Sequence, residues 1–245
     1  MLGTLKRAGD VLDLFTTEEP EWGVTAAAQR LGIGKSLAHD VLASLAAIGL
    51  LQRVAHGRYR LGWRTISLAS VLLRTSELKA KARPVVRDLA DGHGLAVSLA
   101  AWDRGRIIYI DRRASARQAP APGPAPGTAA PLDGSAIARV LLASRPTTEV
   151  ITLWSDGFVR TRHASVDELE LDLERIRLHG WAQNDGDAVG LAVAAPVKDA
   201  DGSVAGAIGL DLIHVSSANL DLHARAVQAA ASRISAAMRE PALAA

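Results

Sequence analysis

The sequence predicts an α+β chain in two parts: a small helical front with a β-hairpin, then a larger antiparallel sheet with flanking helices. Three observations carry this. Two short amphipathic helical stretches meet at Gly32, and a hairpin bearing arginines follows them directly. Further on, apolar strand-like stretches come in two pairs around the tight turns Asp103-Arg104-Gly105 and Asp199-Ala200-Asp201-Gly202, a signature of antiparallel hairpins. The order helix, strand, strand, helices, strand, strand, helix then sets helices outside one antiparallel sheet, as in a sensor-like domain.

In chain order, Leu5, Ala8, Leu12 and Phe15 form a helical stripe, which predicts a first helix over 2–17. Glu18-Glu19-Pro20-Glu21 is a polar loop with a proline break. Thr25 is placed to cap a helix over 26–31, since its hydroxyl can accept from free N–H groups at a helix start, and Gly32 ends that helix. A second helix covers about 35–48. Ala38, Val41, Leu42 and Leu45 form its buried face, with Lys35, Ser36, His39 and Asp40 opposite, near its N-terminal end. Strands over 50–54 and 58–61 flank Ala55-His56-Gly57, and Arg58 and Arg60 share one strand face. Together these make a winged helix-turn-helix, in which the start of the second helix meets base edges in a major groove. Duplex DNA is the expected ligand. Ordinary core packing with solvated arginines would read similarly, and these residues alone leave that alternative open.

Gly62 and Trp63 lead into a helix to about Lys79, where Ile66, Leu68, Ala69, Val71, Leu72 and Leu73 are apolar around much of the circumference. Such a helix needs cover on several sides, from a second subunit or from the rest of its own chain. The domains therefore read as 1–62, a linker helix over 63–79 and 80–245. In the last of these, a helix over 84–91 precedes strands over 95–102 and 106–112. Gln118–Pro131 holds five prolines, each lacking a donor N–H, and reads as a loop or frayed edge. Helices follow over 134–144 with Asp133 as N-cap, over 147–155, and over 166–179 between the capping box Ser165-x-x-Glu168 and Gly180. Strands over 190–198 and 203–213 and a helix over 222–239, capped by Asp221, end the chain.

Composition narrows the function classes. With 245 residues, 49% of them hydrophobic, the chain can bury two modest cores. It has no cysteine, which excludes disulfides and thiolate metal sites. Neither a signal peptide nor a membrane-length apolar run is visible, so a cytoplasmic protein with no membrane partner is expected. The net charge is +2; residues 1–80 carry 10 Lys+Arg against 7 Asp+Glu, and the remainder 18 against 19, so the excess sits at the front. The motifs of an enzyme are missing: no Gly-x-Ser-x-Gly elbow, no phosphate loop, no dinucleotide fingerprint and no histidines at metal-ligand spacing. The pair Asp185 and Asp187 reads as loop solvation. No cofactor is expected.

The stretches Leu31-Gly32-Ile33-Gly34-Lys35-Ser36-Leu37-Ala38-His39, Gly57-Arg58-Tyr59-Arg60-Leu61-Gly62, Ile108-Tyr109-Ile110-Asp111-Arg112 and Ala194-Ala195-Pro196-Val197 together resemble the IclR family of bacterial transcription regulators. The resemblance covers nearly the whole chain. It implies a winged-helix DNA reader, a linker helix and a GAF-like effector domain, working on palindromic operators as a dimer or a pair of dimers. Thr25, Lys35, Ser36, His39, Asp40, Arg53, Arg58 and Arg60 would face DNA. Asp40 stands where the family often has arginine. Asp133, Ser135, Ala136, Asn184, Asp185 and Asp211 would border the effector pocket, with Asp211 where a serine is common. If Asp133 and Asp211 both face that pocket without a cation, it would be acidic and would disfavour an anionic effector. Otherwise Asp133 caps its helix and Asp211 points to solvent from an edge strand. A small-molecule-processing enzyme and a ligand-independent DNA-binding scaffold remain the alternative functions.

Overall fold

A computed structural model of the chain describes residues 3–114, 123–185, 191–212 and 219–240. The chain divides into two compact units at Thr75/Ser76.

The first unit runs α1 (Gly3–Leu12), β1 (Glu21–Gly23), α2 (Val24–Leu31), α3 (Lys35–Ala47), β2 (Leu51–Arg53), β3 (Arg58–Leu61) and α4 (Arg64–Thr75). Val11, Leu14, Trp22, Ala27, Val41, Leu42, Leu45, Leu51 and Tyr59 form its core. The helix expected over 2–17 stops at Leu12, and its former tail is held differently: the Trp22 indole N–H donates to the Leu14 carbonyl at 2.8 Å. The strand β1 was not foreseen. It makes the hairpin a three-stranded sheet in the order β1-β3-β2, with Gly23 opposite Arg58. That pairing fixes where α2 begins, so the expectation for Thr25 is corrected. The extended N-cap is Gly23, with no side-chain cap, and Thr25 lies inside the first turn. Gly32 ends α2 in the left-handed conformation at φ 63°. Gly62 meets a different demand. Its N–H donates to the Leu50 carbonyl at 2.8 Å, and a Cβ there would collide with the Gly49 carbonyl oxygen. None of the α4 residues is buried.

The helix expected to reach Lys79 ends at Thr75, because Ser76 caps a new one, accepting from the Lys79 N–H at 3.3 Å. This is α5 (Glu77–His93), which runs through Pro84 where a helix start was expected. The second unit continues with β4 (Ala96–Asp103), β5 (Arg106–Arg113), β6 (Ala129–Ala130), β7 (Leu132–Asp133), α6 (Ala136–Ala143), α7 (Thr147–Ser155) and β8 (Val159–Arg160). Then come α8 (Val166–His179), β9 (Ala182–Gln183), β10 (Ala192–Lys198), β11 (Val204–Asp211) and α9 (Leu220–Arg239). Among the described residues the main sheet has six strands in the order β6-β5-β4-β11-β10-β9, every pair antiparallel. Arg104 and Gly105 both take positive φ, 47° and 81°, the backbone of a type I′ turn between β4 and β5. The proline-rich stretch ends as a two-residue edge strand, β6; residues 115–122 lie outside the described ones.

Alternation on the strands separates two layers. Val97, Leu99, Val193, Val197, Ile208 and Leu210 pack with α5 and α9. Tyr109, Ala194 and Ala207 pack with α6 and α8 on the other face. There the sheet carries small residues because α6 lies close: a Cβ on Gly209 would come within 2.9 Å of the Ile137 side chain. Two caps differ from expectation. Asp133 belongs to β7, and its carboxylate accepts from the Ser135 N–H at 3.0 Å, so Ser135 caps α6 instead. Asp221 lies inside the first turn of α9, which begins at Leu220.

Candidate functional site

Two regions gather the residues that the sequence singles out. In the first unit, α3 buries Ala38, Val41, Leu42 and Leu45 and leaves Lys35, Ser36, His39 and Asp40 exposed at its N-terminal end. The His39 Nδ1 lies 3.3 Å from Asp40 Oδ1, so this carboxylate has a neighbouring histidine as its partner. On the wing, Arg58 and Arg60 are exposed while Tyr59 between them is buried. Arg58 donates to the Glu21 carbonyl at 2.6 Å, and its Nε lies 3.4 Å from the Glu21 carboxylate. Arg60 donates to Gln52 Oε1 at 3.3 Å. Thr25, Lys35, Arg53, His56 and Arg58 line one open cleft of about 850 Å³ together with Glu18, Glu19 and Glu21. The glutamates were missed because their polar run reads as a loop; only the pairing of β1 with β3 brings Glu21 to the wing.

In the second unit, four of the six expected effector residues, Ser135, Ala136, Asn184 and Asp211, line a cavity of about 140 Å³ beneath the start of α6. Asp133 and Asp185 sit next to it. Asn184 accepts from the Ala136 N–H at 2.8 Å through Oδ1, and the Asp185 N–H donates to the Gly134 carbonyl at 2.6 Å. The Asp185 carboxylate is buried against Arg162 rather than solvated; its partner in the expected loop pair, Asp187, lies outside the described residues.

Asp211 is corrected as well. It lies on β11, which is paired on both sides and is no edge, and its Oδ2 accepts from Arg112 Nη1 at 2.9 Å. The same nitrogen donates to Ser98 Oγ at 3.3 Å. The expected acidic pocket without a cation therefore has its cation. Burial pushes the Asp211 carboxyl above its usual range, opposed by the charge and hydrogen bond of Arg112. Tyr109, which sequence reasoning did not select, also lines the cavity; burial, then the charges of Asp133 and Asp211, push its phenol up to about 12.

Comparison with known proteins fits both regions. Residues 4–55 match the IclR helix-turn-helix domain, and residues 70–236 match the bacterial transcriptional regulator IclR C-terminal domain. The chain belongs to the IclR family. Its relatives include the glycerol operon regulatory protein of Streptomyces griseus, 33% identical, with 84% of this chain and 83% of that protein covered. An IclR family regulator from Brucella abortus has the same fold, with a TM-score of 0.81 at 22% identity over 97% of this chain and 92% of that one. An IclR homologue from Microbacterium hydrocarbonoxydans, solved in complex with 4-hydroxybenzoate, has a TM-score of 0.71 at 21% identity, covering 97% of this chain and 99% of its own. IclR proteins of this kind are transcriptional regulators, not enzymes, and the helix-turn-helix is their DNA-binding part. Among the described residues no helix is long and apolar enough to cross a membrane.

Proposed function

We propose that this IclR-family chain is a ligand-responsive regulator that reads a palindromic operator as a dimer or a pair of dimers. The observation that carries the reading is the polar, exposed N-terminal end of α3 beside an arginine wing, over a face that is wholly buried. Lys35, Ser36 and His39 enter the major groove, with Asp40 and Thr25 at its border. Arg53, Arg58 and Arg60 hold phosphate or the adjacent minor groove. The α4 residues Ile66, Leu68, Val71 and Leu72 are more than half exposed within one chain, as a helix covered by a second copy would be. The cavity beneath α6 is the effector site. The homologue solved in complex with 4-hydroxybenzoate supports a small organic effector for a chain of this fold. Its binding shifts the population between dimers that fit the operator and dimers that do not.

Gel retardation over a salt series tests the assignment. Arg58→Ala should weaken all duplexes alike and reduce the slope of log affinity against log salt by about one. His39→Ala should relax sequence preference, at a cost of about 1–3 kcal/mol on the preferred operator. A wing variant that altered sequence choice alone would overturn the phosphate role.

A further inference from the structure

The effector reading leaves the chemistry of the ligand open, and the described side chains around the cavity restrict it. At about 140 Å³ the space equals roughly four or five waters at about 30 Å³ each, so the ligand is small. Pro124, Ile137, Leu191 and Val193 offer apolar wall to a short carbon skeleton.

The charges are spoken for. Asp211 is the one charged group among the described lining residues, and Arg112 already serves it from behind at 2.9 Å. Asp133 adds a second carboxylate just outside. An anion would thus meet Asp211 with no uncommitted cation in the described lining, and at the start of α6 only the Ile137 N–H is left to it. The N–H groups at Ser135, Ala136 and Ala138 already donate to Asp133 Oδ1, Asn184 Oδ1 and Ser135 Oγ, at 3.0, 2.8 and 3.4 Å. An ammonium fares little better. It would give up its water for a carboxylate that Arg112 has neutralised.

Neutral hydroxyl groups suit what remains. Asp211 keeps its second oxygen as an acceptor, the Ser135 hydroxyl lines the space, and Tyr109 presents a phenol that stays protonated because burial holds its proton to about pH 12. We infer that the cavity takes a neutral polyhydroxylated molecule of about three or four carbons, bound through Asp211 and Tyr109, and discriminates against the carboxylate and the amine of the same size. This rests on the cavity being the effector site.

The test is isothermal titration of the full chain at millimolar ligand with an isosteric series: glycerol, glycerate and 2-amino-1,3-propanediol, with erythritol as a longer polyol. A polyol should bind saturably, with glycerate and the amine at least about tenfold weaker. Tyr109→Phe, which keeps the ring and its packing, should weaken the polyol about tenfold, as should Asp211→Asn. Glycerate or the amine binding more tightly than either polyol overturns the inference, as does saturable binding of neither polyol. Retardation of operator DNA in the same samples keeps the two readings apart. If glycerate binds best and releases DNA, the ligand class falls and the effector site stands. If DNA is not retained at all, the regulator reading itself falls.

Discussion

At the scale of single residues, Tyr109 shows how burial and charge act together. Its phenol is pushed from 10.0 to about 12 by burial and by Asp133 and Asp211, with Arg112 opposing. A raised folded-state value means that the proton is held more tightly folded than unfolded. Its contribution is therefore fully present below pH 10 and is lost as the pH rises through about 12. Tyr109→Phe should flatten the alkaline fall in stability over that window, by an amount on the order of 2 kcal/mol. Urea midpoints measured at several alkaline pH values would check this; an unchanged fall would show that other groups cause it. The partnership of Asp211 was not legible in the sequence for a related reason. Arg112 lies 99 positions away, and nothing local marks the two as neighbours. Asn184 and Ala136, 48 apart, are a similar case, brought together only by the placement of β9 beside β10 and of α6 over the sheet. By contrast, the exposure of Lys35, Ser36 and His39 follows from helical periodicity alone, and α3 presents them as that periodicity predicts.

At the scale of elements, boundaries were legible where the chain carries its own stop and start signals. The helix α8 spans Val166–His179 as read, because the Ser165 hydroxyl accepts from the Glu168 N–H at 3.2 Å and Gly180 closes the helix at φ 72°. The starts of α2 and α6 were misplaced because Gly23 and Asp133 are taken into strands, which moves the cap of α6 to Ser135, and α9 starts at Leu220, ahead of the aspartate read as its cap. Short strands such as β1 and β9 have no pattern of their own and exist through their partners. Gly62 gives this scale its prediction. Since the obstacle to a side chain there is backbone on both sides, Gly49 and Leu51 cannot yield cheaply. Gly62→Ala should destabilise the first unit by about 1–3 kcal/mol, visible as a lower denaturant midpoint. No loss of midpoint would mean that the wing can shift as a body.

For the whole molecule, the apolar exposure of α4 is the dominant fact. Leu72 is 67% exposed and Val71 61%, and Trp63 just before the helix 72%, a surface that a lone copy would hold in water. Leu72→Lys should shift the chain toward monomer in analytical ultracentrifugation. It should also weaken operator binding by more than about tenfold, because the second half-site then contributes nothing through effective concentration. An unchanged sedimentation coefficient would place the contact between copies elsewhere. The sequence marks this helix as one that needs cover, from a second copy or from its own chain, because it is apolar around much of its girth.

The position of β11 has a consequence for how a bound molecule would be felt. The cavity floor at Gly209 and Asp211 belongs to a strand hydrogen-bonded on both flanks, while its roof, the first turn of α6, is tied at its end by single bonds from the side chains of Asp133 and Asn184 and from the Asp185 N–H. Backbone amides of the floor should exchange with deuterium only when the whole domain opens, occupied or not. Arrival of a guest should thus register above it, as slower exchange over 135–137, and leave the strand below silent.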